Sequence, residues 1–247
     1  MSGACGILIV NKPGGITSHD VVNRVRRLYG TRQVGHTGTL DPLACGVLAV
    51  MVGRAAKAAQ YLNCDRKSYR AVLRLGLTSD TEDITGRVLT QSDRIPDVDA
   101  VRAVCAGFVG EQMQIPPMYS AIKINGQKLY DIARRGGEVE RAARRITIHS
   151  IDYLGQENGD HVLRIRCSKG TYIRTLCHDL GEYLGCGGCM AALRRTSSGS
   201  FSVENARRIG ELTRADRDTL LPVDTLFSAA ASLTLTAAQE KRCRCGN

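Results

Sequence analysis

The 247-residue chain has no tryptophan and only three phenylalanines, which argues against an extended aromatic platform for stacking successive bases, although eight tyrosines remain for single stacking contacts. It lacks long hydrophobic runs. The longest, residues 47–52, is far too short to cross a bilayer, and no membrane role is expected. The opening MSGACGILIVNKPGG has no basic stretch ahead of its short apolar segment and does not read as a secretory signal, so the expected location is cytoplasmic. Also missing are the phosphate-cradling GxxxxGK[ST] pattern, a GxGxxG after a strand, the zinc-binding HExxH and the GxSxG nucleophile turn. Nucleotide-driven, hydride-transfer, zinc-protease and serine-hydrolase chemistry lose their usual supports with them. No second acid accompanies Asp41 in a recognisable pattern, so paired-carboxylate glycosidase chemistry is not supported either.

What the chain has in excess is positive charge. Lys and Arg number 34 against 24 Asp and Glu, a net +10, which suggests a polyanionic partner, with nucleic acid ahead of an anionic membrane surface. An apolar fraction of 43% and a charged fraction of 23% exclude wholesale disorder. Ten cysteines in a cytosolic chain of this size read as reduced thiols. Cys186 and Cys189 form a CxxC and Cys243 and Cys245 a CxC, so a four-thiolate zinc module is one alternative. Unequal spacing and the long separation of the pairs weigh against it, and no metal is expected.

Read along the chain, residues 6–10 predict a short strand. Ser18 predicts the N-cap of a helix that buries Val21, Val22, Val25 and Leu28, turns Arg24 and Arg27 outward and stops at Gly30. Residues 47–52 predict a buried strand, and Gly53 leads into an Ala-rich helix ending near Leu62. Residues 68–75 alternate, with Tyr69, Ala71, Leu73 and Leu75 facing one way and Arg70 and Arg74 the other, as in a strand with one covered face. Residues 79–99 hold six acids against two bases and should lie away from any polyanion. Val101, Val104, Cys105 and Phe108 mark another helix.

Residues 117–145 carry seven Lys and Arg against three acids, with Asn125-Gly126 as a tight turn and a short helix over 129–135 stopped by Gly136-Gly137. Two readings stand here: a basic excursion that closes over a partner, or a solvated charged hairpin. Strands over 146–153 and 161–167 and a helix over 173–184 follow. Arg194-Arg195 reads either as a phosphate contact or as a solvated face. The elements mix without a regular βαβ rhythm, which predicts an α+β fold with a mixed, largely antiparallel sheet flanked by helices and a thumb-like insertion.

The densest polar loop is residues 35–46, GHTGTLDPLACG, whose three glycines and one proline fix its backbone. Pro42 restricts Asp41 to an extended conformation, so the carboxylate stands on a stiff loop beside the imidazole of His36.

At this loop a resemblance becomes specific. NKPGGITS (11–18), GHTGTLDP (35–42), KSYR (67–70), IPPMYSA (115–121), CSKGTYIR (167–174) and LRR (193–195) occur in the order seen in the TruB family of tRNA pseudouridine synthases, which act on uridine 55 of the T loop, and the resemblance spans about residues 6–225. It implies an isomerase with the pseudouridine-synthase fold and no cofactor, a tRNA T-arm as partner, and a monomer. Asp41 would be the nucleophilic aspartate and Arg174 its partner. Tyr69 would stack on the base and serve in proton transfer. Tyr172, Leu193, His36, Lys12 and Pro13 would form or support the uridine pocket. Lys123, Lys128, Arg141, Arg144 and Arg145 would grip RNA. The chemistry suits these residues: the N1–C1′ bond breaks, uracil turns, C5 joins C1′, and only the C5 proton is exchanged, so no metal or redox group is required. Whether the aspartate bonds C1′ or C6, or the path runs through a glycal, stays open.

The resemblance also implies a catalytic domain over 1–221, with 222–247 a truncated or vestigial remnant of the family's C-terminal RNA-binding domain. A non-catalytic tRNA-binding or chaperone protein using the same basic surface is the alternative.

Overall fold

The computed structural model describes residues 4–61, 66–124, 126–213, 220–227 and 233–245. Its strands are β1 (Gly6–Lys12), β2 (Val34–His36), β3 (Cys45–Val52), β4 (Arg66–Leu75), β5 (Leu77–Ser79), β6 (Val88–Gln91) and β7 (Gly110–Gln114), then β8 (Lys123–Ile124), β9 (Gln127–Lys128), β10 (Arg144–Glu157), β11 (Asp160–Ser168), β12 (Gly188–Ser198), β13 (Phe201–Ser202) and β14 (Arg207–Arg208). Its α-helices are α1 (Ser18–Tyr29), α2 (Val98–Gly107), α3 (Leu129–Arg134), α4 (Ile173–Tyr183) and α5 (Ala237–Arg244). One large sheet runs β14-β1-β3-β12-β4-β11-β10-β7, with β2 beside β3 and β13 beside β12. The β1–β14 and β3–β12 pairs are parallel and the others antiparallel, so the architecture is the α+β type expected.

Burial explains the two kinds of strand sequence. β1 and β3 are covered on both faces and therefore read as nearly unbroken apolar runs. Leu8, Val10, Leu48, Val50 and Val52 pack with Val21, Val22, Val25 and Tyr29 of α1, while Ile7, Ile9, Val47, Ala49 and Met51 pack with Ala55 and Phe201. β4 is covered on one side. Tyr69, Ala71, Leu73 and Leu75 join the main core with Leu176, Cys177 and Leu180 of α4 and Val101 and Cys105 of α2. On the other side Arg70 pairs with Glu157, and Arg74 forks onto Asp160 at 2.9 and 2.7 Å.

Several local expectations are corrected. The N-cap of α1 is Thr17, whose hydroxyl accepts from the Asp20 amide while the Asp20 carboxylate accepts from the Thr17 amide. Ser18 is already helical because its hydroxyl is committed elsewhere. Gly30 ends the helix in the left-handed region as expected, at φ 62°. The Ala-rich segment is a 3₁₀ helix, Gly53–Tyr61, that buries Ala55; Leu62 lies outside the described residues, as do Cys64 and Asn125. β12 was not anticipated, yet it lies between β3 and β4 in the middle of the sheet. The acidic segment opens with the β5–β6 hairpin, and its turn packs against α4: the Thr175 hydroxyl donates to the Glu82 carboxylate at 2.6 Å. Among the described residues no helix is long and apolar enough to cross a membrane.

Candidate active site

The Gly-rich loop connects β2 to β3, and hydrogen bonds pin it on both sides of Asp41. The Ser18 hydroxyl donates to the Leu40 carbonyl at 3.0 Å and accepts from the Leu40 amide at 2.8 Å. Leu40, 3% exposed, anchors the loop in the main core. After Asp41, the Pro42 carbonyl accepts from the Gly15 amide at 2.8 Å, and the Ala44 amide donates back to the Asp41 carbonyl at 3.1 Å. The Lys12 ammonium donates to the carbonyls of Pro13 (2.9 Å), Ile16 (2.6 Å) and Pro42 (3.4 Å), which ties the N-terminal motif to the Gly-rich loop. Lys12 is thus a buried strut rather than a solvated loop lysine, and burial pulls it down to about 8. Pro13 is exposed and supplies its carbonyl.

Arg174 sits in the first turn of α4 and is buried, not the surface residue its position suggests in isolation. Its guanidinium forks onto Asp41, with Nε to Oδ2 at 2.9 Å and Nη2 to Oδ1 at 3.3 Å. Two of the three remaining donors are also used: Nη1 bonds the Thr81 carbonyl at 2.9 Å and Nη2 the Tyr119 carbonyl at 2.8 Å. Four contacts from one planar group hold the acid in one orientation. The Asp41 side chain remains 35% exposed, so the carboxylate is fixed on its inner side and open on its outer one. Gln114 makes a comparable two-way clamp: its amide donates to the Tyr172 carbonyl at 3.0 Å, and its oxygen accepts from the Tyr172 amide at 2.8 Å.

The other expected residues converge here. Tyr69 on β4 and Leu193 on β12 share the core cluster that contains Leu40 and Ala44, and the charge of Asp41 acts on Lys12, Tyr69 and Tyr172 alike. Burial pushes the Tyr69 phenol up to about 12, opposed by the neighbouring Arg195 charge. Tyr69 is therefore protonated at neutral pH, which suits a flat stacking surface. Burial also raises Tyr172 and lowers His36, the latter helped by Arg195. The His36 Nδ1 is buried without a hydrogen-bond partner among the described residues.

Arg195 resolves the ambiguous Arg194-Arg195 pair. Arg194 is exposed, whereas Arg195 is 1% exposed and is neither a phosphate contact nor a solvated residue. Its Nε donates to the Val47 carbonyl at 2.7 Å and its Nη2 to the Gly38 carbonyl at 3.1 Å. Sequence reasoning also missed the loop-holding role of Ser18 and the clamp of Gln114. The signal for Arg195 was the apolar run from Cys189 to Leu193, which marks a buried element leading directly into it.

The basic insertion divides in two. Lys123 and Lys128 face each other across the β8–β9 hairpin and are exposed, as are Arg144 and Arg145 at the start of β10. Arg145 lies 3.6 Å from Glu111. Arg141 is different: its side chain is 20% exposed and donates to the Pro116 carbonyl at 3.1 Å, so it braces the base of the insertion. Cys186 and Cys189 are buried at the head of β12, while Cys243 and Cys245 are exposed on the C-terminal segment. Among the described residues no three metal-ligating side chains cluster.

Comparison with known proteins bears on the same chain. The model of the TruB family pseudouridylate synthase N-terminal domain matches residues 26–173, and that of the tRNA pseudouridylate synthase B C-terminal domain matches 174–228. The tRNA pseudouridine synthase B of Alkaliphilus oremlandii is 48% identical over 244 residues, covering 98% of this chain and 82% of that protein. The protein of that name from Syntrophotalea carbinolica is 52% identical over 202 residues, covering 81% and 66%. Among solved structures, a Cbf5-Nop10-Gar1 complex aligns with a TM-score of 0.69 at 29% identity, covering 90% of this chain and 61% of that one. An H/ACA RNP bound to a substrate RNA containing 2′-deoxyuridine aligns with a TM-score of 0.66 at 26% identity, covering 90% and 60%. An aspartate fixed on a Gly-rich loop by a buried arginine, in a fold shared with these structures and in a sequence matched by both family models, leads to one assignment: the chain belongs to the TruB family of pseudouridylate synthases.

Proposed function

We propose that the protein isomerises uridine 55 in the T loop of tRNA to pseudouridine, taking the uridine out of its stack and using Asp41 as the nucleophile. The observation that carries this reading is the fork from Arg174 onto Asp41, with Tyr69, Tyr172 and Leu193 gathered around the same loop. The neutral Tyr69 ring offers the flipped uracil a flat surface, and extrusion of the base costs a few kcal/mol that phosphate contacts from Lys123, Lys128, Arg144 and Arg145 offset. The reaction adds and removes no atoms beyond the proton exchanged at C5, so the residues described suffice without a cofactor. The curated relatives named tRNA pseudouridine synthase B support tRNA as the substrate.

The test is incubation with an unmodified tRNA transcript followed by mapping of the modified position. Pseudouridine at position 55, abolished in Asp41→Asn while tRNA binding is retained, is the expected result. Modification elsewhere, or turnover by Asp41→Asn, overturns the reading.

A further inference from the structure

Among the described residues Arg195 is the largest side chain that is fully buried, and it enters no ion pair. Buried charges are ordinarily paired, because desolvating an ion without a counter-charge is expensive. Two of its donors hold backbone carbonyls, at Val47 and Gly38. The third nitrogen, Nη1, lacks a well-aligned partner, and the guanidinium lies beside the Tyr69 phenol, its neighbour across the β12–β4 register.

The surroundings do not supply the missing anion. Lys12 is also buried and is destabilised in its charged form by Arg195, as is His36. The carboxylate at this site, Asp41, is already engaged by Arg174. Gly38 has φ 88°, which suits a residue without a side chain, and a Cβ there would meet Lys67 Nζ at 3.0 Å and Arg195 Nη1 at 3.6 Å. The loop thus comes close to two cationic groups at the point where Arg195 grips it.

We propose that Arg195 is an electrostatic positioning residue for the isomerisation, acting through Tyr69 and the catalytic loop. It fixes the loop at Gly38, and its uncompensated charge behind Tyr69 stabilises negative charge that appears on uracil. The balance is as follows. When the N1–C1′ bond breaks, its electron pair leaves with the base, which becomes a uracil anion with charge spread over N1 and the two carbonyl oxygens. When C5 joins C1′, that electron pair forms the new bond; the C5–H bond then breaks, its proton passing to solvent and its electron pair re-forming the C5–C6 double bond, while N1, freed of the sugar, takes up a proton from solvent, so the product is neutral. Arg195 gains no proton and forms no bond, so its contribution is a preorganised field felt while the base is anionic.

This rests on the proposed reaction, and the experiment separates the two. Single-turnover rates are measured with saturating RNA carrying either uridine or 5-fluorouridine at the target position. The fluorinated base is more acidic and needs less help to depart. In Arg195→Gln, neutral but still able to hydrogen-bond, the rate of uridine consumption should fall about 100-fold and that of 5-fluorouridine only about tenfold, with RNA affinity unchanged. Arg195→Lys keeps the charge and loses the fork, so both substrates should slow by one common factor.

Equal losses on the two bases in Arg195→Gln would show that Arg195 only holds the loop and would overturn the proposal. Should Arg195→Gln not fold, raising the pH through the titration of the substituted amine in Arg195→Lys removes the charge within the folded protein. The same uridine-selective loss must then appear relative to the wild type over that pH range, and its absence refutes the proposal. A wild-type protein that makes no pseudouridine refutes the reaction itself.

Discussion

Replacing Arg174 by lysine tests the geometry of the site most directly, because it keeps the charge and removes the plane. A single ammonium can follow Asp41, but it cannot also reach the Thr81 and Tyr119 carbonyls, which bond the guanidinium at 2.9 and 2.8 Å. Each buried carbonyl left without a donor costs about 1–2 kcal/mol, or about 3 kcal/mol for the two. At about 2–4 °C per kcal/mol for a protein of this size, the melting midpoint should fall by about 6–12 °C. The Asp41 side chain, 35% exposed, regains water when the fork loosens, so it adds little to the stability loss.

Activity should suffer more than stability. An acid displaced by about 1 Å loses on the order of 100-fold in the chemical step. Affinity for RNA should not change, since Arg174 is 4% exposed and its contacts are with protein. The assays are single-turnover pseudouridine formation at saturating RNA, a thermal melt by circular dichroism and a binding isotherm. Turnover near the wild-type rate with an unshifted melt would refute the claim that four fixed hydrogen bonds from Arg174 orient Asp41. Weakened RNA binding would contradict the placement of Arg174 behind the carboxylate.

Three further outcomes follow from other parts of the structure. Ser18→Ala deletes both the donor and the acceptor that hold Leu40 and should cost about 1–3 kcal/mol in a denaturant titration, with slower turnover; an unchanged midpoint would mean the loop holds itself. Burial raises Asp179 from 3.8 to about 6, so the folded state binds its proton more tightly and the resulting stability, complete below pH 3.8, is lost as pH rises through about 6. Asp179→Asn should therefore be more stable than wild type at pH 7 and converge with it near pH 4, and parallel stability curves would argue against this. Removing Arg144 and Arg145 should flatten the salt dependence of tRNA binding by roughly one to two in the logarithmic slope, whereas Arg141→Gln should chiefly lower stability; a slope that responds to Arg141 alone would reverse the division made here.

Much of this molecule was legible from side-chain pattern wherever the physics is local. The unbroken apolar residues of β3 and the alternation of β4 report how many faces are covered, and that depends on neighbours two positions away. The stiffness of the Gly-rich loop was legible because Pro42 fixes its own φ and restricts Asp41 before it. What was not legible depends on partners distant in sequence. Arg174 bonds carbonyls at Thr81 and Tyr119, and nothing about a carbonyl marks it in a sequence. The acidic composition of residues 79–99 gave no sign that its turn supplies one of those acceptors, or that burial governs Glu82. Arg195 was ambiguous because a guanidinium that bonds two main-chain oxygens looks, in sequence, like one facing water. Ser18 misled for the opposite reason: its type favours a cap, and Thr17 beside it took that role.

The position of β12 has a consequence for how the protein is made. Its strand wedges between β3 and β4, both of which leave the ribosome long before it does, and it belongs to the segment matched by the second family model while its two neighbours belong to the first. Without that keystone β3 and β4 have no strand to join them, and the edges they would share stand open. The segments on either side of residue 173 are therefore not separable modules, because neither alone can close the sheet that carries the site.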